Sequence, residues 1–414
     1  MRKMKDCDFQ WIGQIPEDWM MTKVKFVADF YNGDRGKNYP SGDDLVDDGI
    51  VFLTSNNIHS TVLDTNPEIT KYITPERYKL LGGAKIKKGD LVFCLRGSIG
   101  LCSINESEDE GTVASSLTVL RPKNINNHFL NFILNSKIAE IQTKKFENGS
   151  CAANLSAENV GTYIIPYPPL VEQQKIAVFL DEKCGEIDSI RSDIQKQIDI
   201  LNDYKKSVIT EAVTKGLNPK AKLKDSGIEW IGKIPEHWET IKVGYCFSFS
   251  SGDTLTSESI EDDGDYVVYG ANGIRGYYSY SNLNGEHILI GRVGALCGNI
   301  HITHGKVWVT EHALIARKKR QLDENFYGYV FEAMDLGQYS KASAQPVISS
   351  ETLSALKFIE PSLEEQQAIA DYLDEKCSAI DATIADKQKQ LETLDEYKKS
   401  LIFEYVTGKK EVLQ

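Results

Sequence analysis

The segment Glu172-Gln173-Gln174, Leu180-Asp181-Glu182-Lys183-Cys184 and Ile187-Asp188 returns as Glu365-Gln366-Gln367, Leu373-Asp374-Glu375-Lys376-Cys377 and Ile380-Asp381. A second echo sets Trp11-Ile12-Gly13, Ile15-Pro16-Glu17 and Trp19 against Trp230-Ile231-Gly232, Ile234-Pro235-Glu236 and Trp238. Two Trp and a Pro in register do not arise by chance, so one long unit is duplicated and the chain does whatever it does twice.

The echoes lie 219 residues apart at the Trp segment and 193 apart at Glu-Gln-Gln, so the first copy holds 26 more residues. Setting Gly89-Asp90-Leu91-Val92 against Gly285-Glu286-His287-Ile288 puts 23 of them between Trp19 and Gly89. The ends of the unit match and its middle has diverged.

From Leu180, apolar residues step by four and three through Cys184, Ile187, Ile194, Ile198, Leu201, Val208 and Ala212, with Arg191 and Lys205 interrupting the seam. The second copy runs Leu373, Cys377, Ile380, Ile384, Leu391, Leu394, Leu401 and Tyr405, interrupted at Lys387 and Lys398. These are heptad seams. Pro169 precedes the first helix and Gly216 with Pro219 stops it, while Ser362-Leu363-Glu364-Glu365 reads as a capping box on the second. A seam this narrow along residues 172 to 214, roughly 65 Å at about 1.5 Å per residue, needs a partner of equal length. The duplicate is that partner, and closure about an approximate two-fold axis predicts antiparallel pairing with one globular domain near each end.

Those globular parts, 20 to 165 and 239 to 359, alternate short apolar runs such as Asp90-Leu91-Val92-Phe93-Cys94-Leu95 and His287-Ile288-Leu289-Ile290 with polar turns. They read as strands, with helices expected at 127 to 145 and 325 to 339, hence α+β with a mixed sheet. The echoed Trp and Pro residues are expected to be packing anchors.

A length of 414 residues, 41% apolar and 26% charged, suits a multidomain globular protein. No apolar run reaches membrane-spanning length, and no apolar core follows Met1-Arg2-Lys3-Met4-Lys5-Asp6, which predicts a cytoplasmic location. The eight cysteines lack Cys-x-x-Cys spacing and are expected to be reduced, with Cys184 and Cys377 unbridged; no zinc set is expected. No Gly-x-Gly-x-x-Gly, P-loop, His-Glu-x-x-His or Gly-x-Ser-x-Gly occurs, and Ile165-Pro166-Tyr167-Pro168-Pro169 reads as a rigid connector, so catalysis is not expected. A net charge of -13 argues against nucleic acid as a partner and suits a noncatalytic coiled-coil scaffold without sequence-specific DNA binding. Two basic islands, Lys85, Lys87, Lys88 and Arg96, and Lys306, Arg317, Lys318, Lys319 and Arg320, weaken that objection.

The duplicated helix openings Leu170 to Asp188 and Leu363 to Asp381, continued by Tyr204-Lys205-Lys206-Ser207 and Tyr397-Lys398-Lys399-Ser400, together with the Trp-Ile-Gly-x-Ile-Pro-Glu-x-Trp segments, closely resemble the specificity subunits of Type I restriction-modification systems. The resemblance covers nearly the whole chain. It implies two pseudo-twofold-related α/β target-recognition domains (1–168 and 217–361) separated by two conserved helices (169–216 and 362–414) forming an antiparallel coiled coil. Each domain would read one half of a bipartite asymmetric site in double-stranded DNA. The helices would hold two methyltransferase subunits and, with them, motor-nuclease subunits; S-adenosylmethionine, ATP and Mg would belong to those partners.

Arg can fork onto guanine and Asn or Gln can pair with adenine in the major groove. The candidate DNA-contacting residues are therefore turn residues of the two domains. In the first they are Arg35, Lys37, Asn38, Thr54, Ser55, Asn56, Asn57, Arg96, Ser98, Ser115 and Asn154. In the second they are Ser251, Asp253, Thr254, Asn272, Arg275, Arg292, His312 and Gln345.

Overall fold

A computed structural model describes residues 2–59, 61–147, 155–340 and 346–412. The chain divides into two compact units, one of residues 1–194 with 389–414 and the other of 195–388. Both long helices form, over Leu170–Lys215 and Leu363–Val406.

In unit 1, Asp188 meets Lys398 at 2.7 Å and Arg191 meets Asp395 at 2.8 Å, so rising numbers on one helix meet falling numbers on the other. The stretches are antiparallel. In unit 2, Lys387 reaches Gln197, and Lys205 meets Asp381 at 2.7 Å, again antiparallel. The Lys205–Asp381 pair is the duplicate of Lys398–Asp188 with the helices' roles exchanged. All four charged interruptions of the heptad seams therefore have a partner across the seam. They fix the register that the apolar residues alone would leave to slide.

The seam residues Leu180, Cys184, Ile187, Ile194, Ile198, Leu373, Cys377, Ile380 and Ile384 are buried. Each helix stretch also enters its unit's main core: Leu180 and Cys184 lie with Trp19, Phe129 and Val406, and Leu373 and Cys377 with Trp238, Phe326 and Val213. Burial raises the Cys184 thiol to about 11 and raises that of Cys377, keeping both protonated. The described cysteines are all unbridged.

Each globular domain holds two four-stranded sheets. In unit 1 one sheet is ordered 28–32, 117–122, 91–94, 102–104, and the other 111–113, 50–53, 71–73, 45–46. In unit 2 the first sheet has the matching order 247–251, 313–318, 287–291, 300–303, and the second is ordered 273–278, 266–270, 306–309, 283–284, its fourth strand lying beside 306–309 rather than beside the hairpin partner. The second sheet of each is mixed, through the parallel pairs Val51–Gly111 and Val267–Val307. Both domains therefore have the expected α+β character. The expected helix at 127 to 145 is two helices, Asn127–Leu134 and Lys137–Glu147, because the Asn135 side chain leaves the helix pattern to bond Cys102 through N–H and C=O. That at 325 to 339 is Glu324–Ala333 followed by a tighter turn, Leu336–Tyr339.

The chain enters each domain and leaves it through one two-stranded sheet, Met20–Lys23 against Ile164–Tyr167 and Glu239–Lys242 against Lys357–Glu360. The domains are thus inserted modules. Part of the length difference lies at one connection: in unit 1 residues 54–70 join strands Ile50–Leu53 and Lys71–Ile73, where in unit 2 the two residues Ala271–Asn272 join Tyr266–Gly270 and Gly273–Tyr278.

The duplicated motifs fasten domain to helix. Trp19 and Trp238 are fully buried, and their indole Nε1 atoms donate to Glu172 at 2.9 Å and Glu365 at 3.1 Å. At Glu365 burial raises the carboxyl pKa, but hydrogen bonds from His237, Trp238 and Ser362 outweigh it and hold the group below its usual range. The next residue is a buried glutamine. Gln173 donates to Pro168 O at 2.7 Å and accepts from Asn126 N at 2.8 Å, while Gln366 donates to Pro361 O at 2.9 Å and accepts from Asp323 N at 3.0 Å. Each Gln ties the strand leaving the domain to the N-cap of a domain helix. Gly216 and Gly408, both at positive φ, end the long helices against the Trp rings: a Cβ on Gly408 would lie 2.5 Å from Pro16 and 3.0 Å from Trp19.

Candidate nucleic-acid interface

In both units a loop cluster forms where the central strand of the first sheet ends. Leu95 in unit 1 and Arg292 in unit 2 hold the same place, since Leu95 N donates to Ser116 O and Arg292 N to His312 O, and their carbonyls accept from Leu155 N and Ile348 N. Gly33 and Gly252 approach the neighbouring loops so closely that a Cβ would sit 2.2 Å from Ala114 O or Val309 O. Both turns are therefore built alike. Gly97 and Gly294, at φ of 82° and 88°, complete the match.

The candidates of unit 1 converge here in part. Arg35 is exposed and its guanidinium donates to Ser115 O at 3.3 Å, bringing those two together. Arg96 and Ser98 are exposed beside them, and Ser55 lies across from Gly97. Lys37 and Asn56 are exposed, whereas Asn38 donates to Leu80 O at 3.4 Å. Asn57 was expected to reach DNA, and the structure corrects this. It is fully buried, accepting from Thr54 N and donating to Asp64 O and Thr70 Oγ1, so it holds the long loop closed. Thr54 serves the same loop by donating to Asn57. Asn154 lies outside the described residues.

In unit 2 Arg292 is half-buried and its guanidinium donates to Ser251 Oγ at 2.7 Å, a pre-set pair. His312 borders it, its carbonyl accepting from Arg292 N at 2.9 Å, and Thr254 is brought to no partner in this cluster by the described contacts. Asp253 accepts from Asn282, on a different loop, at 2.9 Å. Asn272 stands on the hairpin turn, whose Ala271 carbonyl lies 2.3 Å from where a Cβ on Gly291 would be, whereas Arg275 lies in the following strand and donates to Ser257 Oγ at 3.5 Å. Gln345 lies outside the described residues. Asn299, which sequence reasoning did not single out, donates from Nδ2 to Asn272 Oδ1 at 3.1 Å. No local sequence pattern marks it, because its partner lies 27 residues away in the chain.

The basic islands do not form the expected patches. Lys85 sits 3.6 Å over the Tyr78 ring, and Lys88 pairs with Glu108 at 3.2 Å. Lys318 pairs with buried Glu324, Lys319 donates to Gly244 O, and Arg320 pairs with Glu360, all at the end of strand Ala313–Lys318 away from His312. Of the islands only Arg96 reaches a loop cluster, where it joins Arg35 in unit 1, and Arg292 supplies the charge in unit 2.

Among the described residues no group of three or more His, Cys, Asp or Glu is placed to hold a metal ion, and no helix is long and apolar enough to cross a membrane. Burial lowers the pKa of His301, beneath the hairpin turn, so that side chain is neutral at neutral pH.

The model of the Type I restriction modification DNA specificity domain matches residues 16–200 and again 235–393. A protein of Methanocaldococcus jannaschii described as the MjaX specificity subunit of a type I restriction enzyme is 27% identical over 96% of this chain and 95% of its own length. The EcoprrI specificity subunit of Escherichia coli is 37% identical over 32% of this chain and 34% of its own. A chain solved in a study of assembly and conformational transition of the type I R-M system superimposes with a TM-score of 0.69 at 15% identity, covering 96% of this chain and 99% of that one, and shares the fold. The doubled match, with one copy on each unit, completes the argument from the doubled architecture: this chain belongs to the Type I restriction-modification DNA specificity family.

Proposed function

We propose that each unit reads one half of a bipartite, asymmetric site in double-stranded DNA, and that the helical base holds two adenine-methyltransferase subunits and, through them, motor-nuclease subunits. The observation that carries this reading is the contrast between a base that makes three principal joints twice and loop clusters that differ. Trp19–Glu172 and Trp238–Glu365, Gln173–Asn126 and Gln366–Asp323, Asp188–Lys398 and Asp381–Lys205 are the same joints made twice. The loops they present hold Leu95 in one and Arg292 in the other, and residues 54–70 in one and a two-residue turn in the other. One scaffold with two unlike readers suits a site with two unlike halves.

Catalysis, S-adenosylmethionine, ATP and Mg belong on this reading to the partner subunits. A coiled-coil scaffold without DNA recognition is not favoured, because the family is one of DNA specificity. Methylome sequencing of cells carrying the chain with its methyltransferase is expected to give an interrupted motif with unlike halves. A continuous or palindromic motif would overturn the proposal.

A further inference from the structure

We propose that Asn272 and Asn299 together read one adenine in the half-site taken by unit 2. This deepens the half-site reading and rests on it. The pair is built on a rigid turn. Gly270 pairs with Gly273 across the hairpin, Gly273 takes φ of 88°, and a Cβ there would lie 2.9 Å from His301, so the turn is held at a position only glycine fits. Asn299 is fixed by its backbone, whose carbonyl accepts from Gly291 N at 2.8 Å and whose amide donates to Leu296 O at 3.2 Å.

The side-chain bond from Asn299 Nδ2 to Asn272 Oδ1 leaves Nδ2 of Asn272 as a donor and Oδ1 of Asn299 as an acceptor, neither with another partner among the described residues. Turning both amides over exchanges the roles and again leaves one donor and one acceptor. In the major groove, guanine offers two acceptors, cytosine a donor, and thymine an acceptor beside a methyl group. Adenine offers N7 as acceptor beside N6–H as donor, and it is the base whose edge complements this pair.

Unit 1 has the same address without the pair. The parallel registers set Leu53 in the place of Tyr269, and beyond that point unit 1 enters the loop 54–70, which has no two-residue turn to carry a counterpart of Asn272. Leu101 stands where Asn299 stands, its carbonyl accepting from Cys94 N as that of Asn299 does from Gly291 N. Leu101 is 40% exposed and has no polar side-chain atom. The adenine reader is therefore a property of one half-site.

The test uses the full chain assembled with its methyltransferase and duplexes carrying its own methylated motif. Replacing adenines of the motif one at a time by 7-deazaadenine removes N7 and keeps base pairing. One position in a single half-site is expected to lower affinity about tenfold for the native complex, and N272A and N299L are each expected to abolish that penalty while leaving the other half-site's preferences intact. The proposal is overturned if no adenine of either half-site shows the penalty, or if it persists undiminished in both variants. If the native complex fails to prefer its own motif over a scrambled duplex, the half-site reading itself fails. The two failures are thereby distinguishable.

Discussion

The helical base and the loop clusters of this molecule have had opposite histories since the unit was duplicated. At the base, a buried Trp donates to a Glu, a buried Gln caps a domain helix, and a Lys crosses to an Asp, once in each unit with distances that agree within a few tenths of an ångström. At the loop clusters, Leu95 holds the position of Arg292 and Leu101 that of Asn299, and unit 2 has a two-residue turn where unit 1 has a folded loop closed by a buried Asn57. A joint that must be geometrically identical tolerates little change, because a buried polar group that loses a partner is left unsatisfied. A surface that selects a sequence is free to differ, provided its backbone frame stays put, and Gly33 and Gly252 show the frame staying put.

The comparison breaks most easily at the tryptophans. Trp19→Ala and Trp238→Ala should each cost about 3–5 kcal/mol in chemical denaturation, and the two costs should agree within about 1 kcal/mol because the burial and the Glu partner are the same. One Trp costing far less than the other would show that the joints are alike in shape only.

The loop clusters should respond unequally. Arg292→Ala removes a half-buried guanidinium held by Ser251 and should lower discrimination between cognate and altered half-sites by about 1–3 kcal/mol with little change in salt dependence. Arg96→Ala removes an exposed guanidinium at a position whose counterpart is Val293 and should weaken binding to all duplexes, reducing the salt slope by about one. Titrations at several salt concentrations separate the two; equal salt slopes and equal loss of discrimination would erase the distinction.

The smallest contrast concerns pH. Asp181 and Asp374 hold the same place on the two helices, yet Asp181 pairs with His128 at 3.0 Å and Asp374 accepts from Tyr329 at 2.7 Å. The hydrogen bond to Asp181 raises the His128 pKa. A raised folded-state value means the pair stabilises fully below the unfolded value of about 6.5 and loses that contribution as pH climbs through the folded value. Native chain minus His128→Asn, the residue type that Asn325 supplies in unit 2, should therefore show ~0.5 kcal/mol of stability disappearing above about pH 6.5. A flat difference across that window would mean the pair contributes nothing.

What was legible in the sequence divides along the same line. The seams, their ends and the antiparallel pairing could be read because the duplicate supplied its own alignment and because heptad spacing has few structural solutions. The Trp and Pro echoes point to packing, and Trp19, Pro16, Trp238 and Pro235 pack against the helix ends. The loops were less legible. Asn57 reads as any turn asparagine until its three hydrogen bonds are seen, and Lys318 and Arg320 read as a basic patch until Glu324 and Glu360 stand beside them. Asn299 could be found only through its contact with Asn272, made across two strands that are far apart in sequence. Local chemistry names the residues a turn prefers; it does not say which way their amides point.

The central claim is that the base is interchangeable and the loops carry the specificity. The most direct measurement replaces residues 20–167, from one strand of the connecting sheet to the other, by residues 239–360, and sequences the methylome of cells carrying that chain with the methyltransferase. The account predicts a motif in which the half read by unit 2 occurs twice and the half read by unit 1 is gone. Retention of the original two-part motif would contradict it.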